Sequence, residues 1–316
     1  MKFASYWFIF GVLWFGADEA AAENREVVAG TRATKSSFDH TVIVVRDLQA
    51  AAAKYRSFGF NTAPTMHHNN FSTSNNLIMF QHNFLELLGT RAQDETTWGY
   101  SRFLAEREGM FTNSMFSEDA LADHKRLSAL QLAGWLSPRI TRPVPMPDGS
   151  NGEVMYRGFT VPLAEAPRLA VFFTHQMRPQ YIWVPDWMVH PNGARRIVSV
   201  TFVADNPVAF REYYEGVVGD GSTTLFGREA LRVTMGRGTT FEVLTPNMLP
   251  NRFADIDVEQ DTELRNHGVA VTVAVESLAK LRTILLSHEV VHHSGRISVR
   301  IPPNEAHGIA LEFVEE

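Results

Sequence analysis

The sequence predicts an α+β fold built from four βαβββ modules. Three observations predict it. An apolar run at 38–45 has strand character and is followed by a helix signal and three more short strand signals, the last at 84–89. The same succession recurs from about Gly109, Arg196 and Val269, and a repeated order of elements marks an internal repeat. A chain of 316 residues with 45% apolar and aromatic content can fill the cores of about two domains.

In the first module Asp47 is placed as an N-cap, Leu48, Ala52 and Tyr55 fall on one helix face, and Gly59 stops the segment. Short strands are expected at 60–62 and 76–80. The second module reads as a strand at 110–116, a helix capped by Asp119 and running to Leu132, and strands at 154–161 and 169–175. The intervening 138–152 is rich in Pro and Gly and is expected to be loop. The third opens with a strand at 197–204. Asn206-Pro207 then gives a cap with proline at the first helical position, and the helix reaches Val218. Strands follow at Thr223–Phe226, 231–235 and Thr240–Leu244. The fourth has a strand at 270–275, a helix capped by Ser277 and running to about Leu286, and strands at 290–293, 297–301 and 309–314. The domains are therefore expected at 37–178 and 195–316, joined by 179–194.

Lys2, the apolar and aromatic run 3–17 and Ala20-Ala21-Ala22 have the layout of a secretory signal peptide cleaved after Ala22, followed by a polar linker at 23–36. That predicts a periplasmic or secreted protein, or a cytoplasmic one if the segment is retained as a packed helix. The run is shorter than the roughly 20 residues of a membrane span. The net charge of −6 offers no footprint for nucleic acid, and the absence of cysteine excludes disulfides, thiolate ligands and a cysteine nucleophile.

Two polar residues interrupt the apolar runs of the first module: His40 in its first strand and Glu86, between Leu85 and Leu87, in its last. Burying either side chain alone is costly, so each needs a metal ion or a cluster of hydrogen bonds. The Asp39-His40 opening, the Leu85-Glu86-Leu87 ending, the turn at Ser72-Thr73-Ser74-Asn75-Asn76 and the order of elements resemble the vicinal oxygen chelate superfamily, in its glyoxalase-like branch. That branch has Gly-Thr-x-Asn at the turn, so Ser72 stands where a glycine is usual. His190-Pro191-Asn192-Gly193-Ala194 is similar to that branch as well. The resemblance spans 38–316, although each motif is short, and it implies that the four modules pair into two cupped, mixed β-sheet domains.

The resemblance implies metal ligands on the first and last strands of each module, here His40, Glu86 and His175, the last of these from Phe172-Phe173-Thr174-His175-Gln176. Two imidazoles and a carboxylate suit a divalent ion such as Fe(II), Mn or Zn. Each residue also has a structural reading. His40 could be a core histidine satisfied by Asp39, Glu86 could face solvent, and Gln176 or Thr174 could point inward in place of His175. The second pair of modules matches only the carboxylate positions, at Glu242 and Glu312, which suggests a degenerate half that shapes the pocket or a homodimer contact.

By resemblance the protein is a metal-dependent lyase or isomerase that binds two vicinal oxygens of a small oxygenated molecule, with Glu86 as ligand or catalytic base. One alternative is an extradiol-type ring-cleaving dioxygenase, whose four-module members carry their ligands in the second pair. Another is a non-catalytic binding or resistance protein with a pocket lined by Phe side chains, Trp183 and Trp187. His288-Glu289-Val290-Val291-His292 fits the zinc-protease pattern. That chemistry needs a helix, and the expected strand would hold the imidazoles about 13 Å apart. His67 and His68 sit in a polar loop and read as exposed histidines, although the resembled branch often has a histidine just before its turn, which would place them at the pocket mouth.

Overall fold

The structure, a computed structural model, describes residues 35–258 and 266–316. The expected signal peptide at 1–22 and all but the last two residues of the expected linker at 23–36 lie outside the described residues.

One eight-stranded sheet is formed by β1 (Phe38–Val44), β2 (Met66–His67), β3 (Thr73–Met79), β4 (Phe84–Thr90), β5 (Gly109–Phe116), β6 (Ile140–Pro145), β7 (Asn151–Val161) and β8 (Val171–Gln176), in the order β2-β3-β4-β1-β5-β8-β7-β6. A second is formed by β9 (Ala194–Val203), β10 (Thr223–Phe226), β11 (Ala230–Thr234), β12 (Thr240–Leu244), β13 (His267–Val275), β14 (His293–Ser294), β15 (Ser298–Ile301) and β16 (Ala310–Glu315). Its order, β10-β11-β12-β9-β13-β16-β15-β14, repeats the first. Within each module the first and last strands pair in parallel, and the first strands of paired modules meet antiparallel. The strands expected to carry function thus form the centre of each sheet.

The helices are α1 (Leu48–Ser57), α2 (Trp98–Glu106), α3 (Ala120–Ala129), α4 (Arg211–Val218), α5 (Leu249–Arg252) and α6 (Leu278–Ser287). Three begin where a side chain satisfies an amide that the first turn leaves free. Asp47 accepts from Ala50 N, Asp119 from Leu121 N and Ala122 N, and Ser277 from Lys280 N. Gly59 ends α1 in the left-handed region at φ +83°.

Five expectations need correction, and one is the strand expected at 290–293, of which His293 alone is in a strand, at the start of β14. Residues 60–62 are not a strand, and the second strand of the module lies at β2. Helix α3 ends at Ala129. Helix α2 falls between modules, where no helix was expected. The stretch 138–152 contains β6, despite Pro143 and Pro145. Strand β6 is an edge strand with one neighbour, so prolines cost it little of its ladder.

The two edges of the first sheet approach each other. Asn69 N–H donates to Thr141 O (3.2 Å), its side-chain amide donates to Thr141 Oγ1 (3.1 Å), and Thr141 N–H donates to Asn70 Oδ1 (3.3 Å). The sheet is therefore nearly closed, and its concave face becomes the wall of a cavity.

The described residues form one compact unit. The largest core draws on both sheets and on α1, α3, α4 and α6, with Ile43, Phe58, Phe173, Phe202, Phe241 and Phe313 all buried. Tyr213 and Tyr214 in α4 donate their hydroxyls to Val161 O (2.7 Å) and Leu169 O (2.9 Å), joining the third module to the second. No described helix is long and apolar enough to cross a membrane. The His288–His292 stretch starts at the C-cap of α6 and passes through Glu289 at φ +54°, so it lacks the helix a zinc protease needs.

Candidate functional site

A cavity of about 230 Å³ opens on the concave face of the first sheet. His40 and Glu86 both line it. A register shift between Phe38 and His40 places Asp39 beside the imidazole, and Asp39 Oδ2 lies 2.7 Å from His40 Nδ1. The carboxylate can only accept there, so Nδ1 carries a hydrogen and Nε2 is the ring nitrogen turned toward Glu86. Nε2 stands 3.4 Å from Glu86 Oε2. A nitrogen lone pair and a carboxylate oxygen repel at that separation unless a cation, a proton or a metal ion, lies between them. Glu86 is fixed in turn by Asn75, whose side-chain amide donates to Oε1. Phe84 stacks on the His40 ring at 4.3 Å between centroids, and Phe172 meets it edge-on at 5.4 Å.

His175 does not join them. Along β8 the residues facing the cavity are Phe172, Thr174 and Gln176, so alternation turns His175 to the opposite face of the sheet. Thr174 Oγ1 is engaged by Ser114 Oγ at 2.8 Å. Gln176 Oε1 is buried without a hydrogen-bond partner. Among the described residues no group of three or more His, Cys, Asp or Glu side chains is placed to hold a metal ion.

The second module explains why no second histidine appears. His40 lies seven residues before the N-cap Asp47, and Thr112 lies seven before the N-cap Asp119. Val42 pairs with Glu86, and its counterpart Ser114 pairs with Phe172. The positions equivalent to His40 and Glu86 are thus Thr112 and Phe172.

Of the far wall of the cavity, the sequence offered only His67 and His68, as a lesser reading, and Arg142, Tyr100, Tyr156 and Trp135 were missed. His68 is buried, and not an exposed loop residue. Its Nδ1 lies 2.8 Å from Thr73 Oγ1 and its Nε2 lies 2.8 Å from Arg142 Nη1. Burial, and then the Arg142 charge, hold its pKa well below the usual histidine range. Arg142 comes from β6, and its guanidinium stands 5.7 Å from the centroid of the Tyr156 ring. Burial, and then the charge of Glu86, push the Tyr100 hydroxyl up to about 12. Tyr100, Tyr156 and Trp135 complete the aromatic lining.

In the second cup the two carboxylates are capped by arginine. Arg252, at the end of α5, donates to Glu312 Oε1 (2.9 Å) and Oε2 (2.5 Å) and faces Glu242 Oε2 at 3.5 Å. Arg300 donates to Glu312 Oε1 at 2.9 Å and also pairs with Asp255. Burial alone would raise the pKa of Glu312. The two guanidinium groups outweigh it and hold the carboxyl below its usual value.

The family described as glyoxalase-like domain matches residues 38–218. A comparison with curated proteins gave no match. Among solved structures, a hypothetical protein from Staphylococcus aureus is similar with a TM-score of 0.63 and 11% identity, covering 89% of this chain and 100% of that one. A triple variant of 4-hydroxymandelate synthase from Streptomyces coelicolor gives 0.57 and 10% identity, over 89% of this chain and 93% of the other. A fusion of a xylose isomerase-like TIM barrel with 4-hydroxyphenylpyruvate dioxygenase gives 0.51 and 11% identity, over 89% of this chain and 49% of that protein. At these identities the likeness is one of fold.

Proposed function

The chain belongs to the glyoxalase-like domain family of the vicinal oxygen chelate superfamily, and from that premise we propose that its first cup is the site of a metal-dependent lyase or isomerase acting on a small oxygenated molecule. The observation that carries the proposal is the line Asp39, His40, Glu86, Asn75. Two ligands each about 2.1 Å from one ion stand about 3.0–3.4 Å apart, and His40 Nε2 and Glu86 Oε2 have that spacing, 3.4 Å. Each has the outer partner that orients a metal ligand, Asp39 for the imidazole and Asn75 for the carboxylate. Gln176 Oε1 is a third donor, otherwise without a partner, on the same cavity.

His40, Glu86 and Gln176 would hold the ion, and this N,O,O set suits Fe(II), Mn or Zn. A bound divalent ion supplies Lewis acidity toward a substrate oxygen. The residues do the rest. Phe84 and Phe172 keep water from the imidazole. Tyr100 remains a hydroxyl at neutral pH and so can donate a hydrogen bond into the cavity. Glu86 would be the carboxylate that moves a proton.

Elemental analysis of the purified chain tests this. Wild type and His175→Ala should carry a stoichiometric ion, and His40→Ala and Glu86→Ala should not. A wild-type protein that stays metal-free after incubation with Fe(II), Mn and Zn in turn would overturn it. That result would favour a second reading, sequestration of a small molecule without turnover, which the Thr112 and Phe172 replacements support. The ring-cleaving alternative draws its ligands from the second cup, where Glu242 and Glu312 are already bound by arginine.

A further inference from the structure

Arg142 is 4% exposed and lines the cavity. A guanidinium so deeply buried ordinarily has a carboxylate partner, because an uncompensated charge in a low-dielectric site is costly. This one has none among the described residues. Its polar partner is His68 Nε2 at 2.8 Å, and its Nε is buried with no acceptor. Arginine can only donate, so His68 Nε2 accepts and its hydrogen sits on Nδ1, toward Thr73 Oγ1. The imidazole is thus held neutral. It aims the guanidinium without cancelling its charge. Tyr156, against the guanidinium face, also leaves the charge in place.

We propose that Arg142 is the anion-recognition residue of this cavity and that its ligand is a small carboxylic acid, with the carboxylate on Arg142 and the other oxygens directed toward His40 and Glu86. The planar guanidinium matches a carboxylate better than it matches a point anion. The cavity, about 230 Å³, is below the roughly 300–1,000 Å³ of sites for drug-sized ligands. The direction of the far end rests on the proposed function, whereas the carboxylate site does not.

Isothermal calorimetry on the full chain tests the proposal, with benzoate and phenylacetate set against their primary amides, before and after chelator treatment. The acids should bind and the amides should not, with or without chelator. Arg142→Gln should weaken acid binding about tenfold or more, and Arg142→Lys should lose less. The proposal is overturned if neither acid binds at millimolar concentration, if the amides bind as well as the acids, if inorganic phosphate binds in preference to the acids, or if Arg142→Gln keeps wild-type affinity. Acid binding that is abolished by chelator and intact in metal-loaded Arg142→Gln would place the anion on the metal, defeating this inference while leaving the metal-dependent reading standing. Should Arg142→Gln fail to fold, the contrast between acid and amide in chelator-treated wild type decides.

Discussion

Asp39 is buried, reaches no ligand position itself, and holds the hydrogen of His40 Nδ1. Replacing it by Asn allows the ring its other tautomer. On the proposed function, Asp39→Asn should therefore keep the fold and lower the affinity for the proposed ion by about 10–100-fold, measured by competition with a chelator. His68 yields a pH dependence. Its folded pKa lies below the ordinary 6.5, so below that pH the unfolded chain takes up a proton that the folded chain refuses. Stability is then flat above about pH 6.5 and falls as the pH drops, by at most about 1.4 kcal/mol per pH unit for each such histidine. His190 is lowered in the same direction by burial, partly offset by its bond to Met79 O, so His68→Gln should flatten the curve without abolishing the slope. Urea midpoints between about pH 7 and 5 read this out, and identical slopes in the two proteins would contradict it. His40 and Glu86 were legible in the sequence because each interrupts an apolar strand. His175 was misplaced because one residue of phase in β8 decides which face it takes.

At the scale of elements, the caps were the most readable feature. Asp47, Asp119 and Ser277 all bond first-turn amides, and Asp119→Ala, which frees two of them, should cost about 1 kcal/mol. Strand β6 was hidden for a physical reason. Its prolines are tolerated at a sheet edge, and only the rest of the sheet determines where the edge lies. Arg142 was lost with it. Helix α5 is too short to be seen as a pattern, yet it delivers Arg252 to two carboxylates. Arg252→Ala should lower stability by about 2–3 kcal/mol, less than a fully buried pair because the arginine is partly exposed. Urea denaturation of this variant beside Glu312→Gln and the double variant measures the coupling, and additive losses would show the pair to be idle.

The repeat was legible across the whole molecule, because four successions of the same signals became two sheets of one strand order. What the sequence could not show is how the halves lean on each other. Gly308 sits at φ +81°, and a Cβ there would lie 2.4 Å from Glu108 O in the first half. Nearby, Tyr55 donates its hydroxyl to Ala306 O and His307 pairs with Glu108. Gly308→Ala should therefore cost about 2–3 kcal/mol. Because one core spans both sheets, the loss should appear as a shift of a single urea transition, and two separated transitions would refute that view of the core. The arginine wedged in the second cup has a consequence of another kind. A duplicated scaffold carries acidic side chains at matching places in both halves, and in the second half arginines cap them, Glu242 by Arg252 and Glu312 by Arg252 and Arg300 together. An engineer who wanted to use that second set of acids would have to trim Arg300 as well as Arg252 and restore the lost stability elsewhere, because one core underlies both halves.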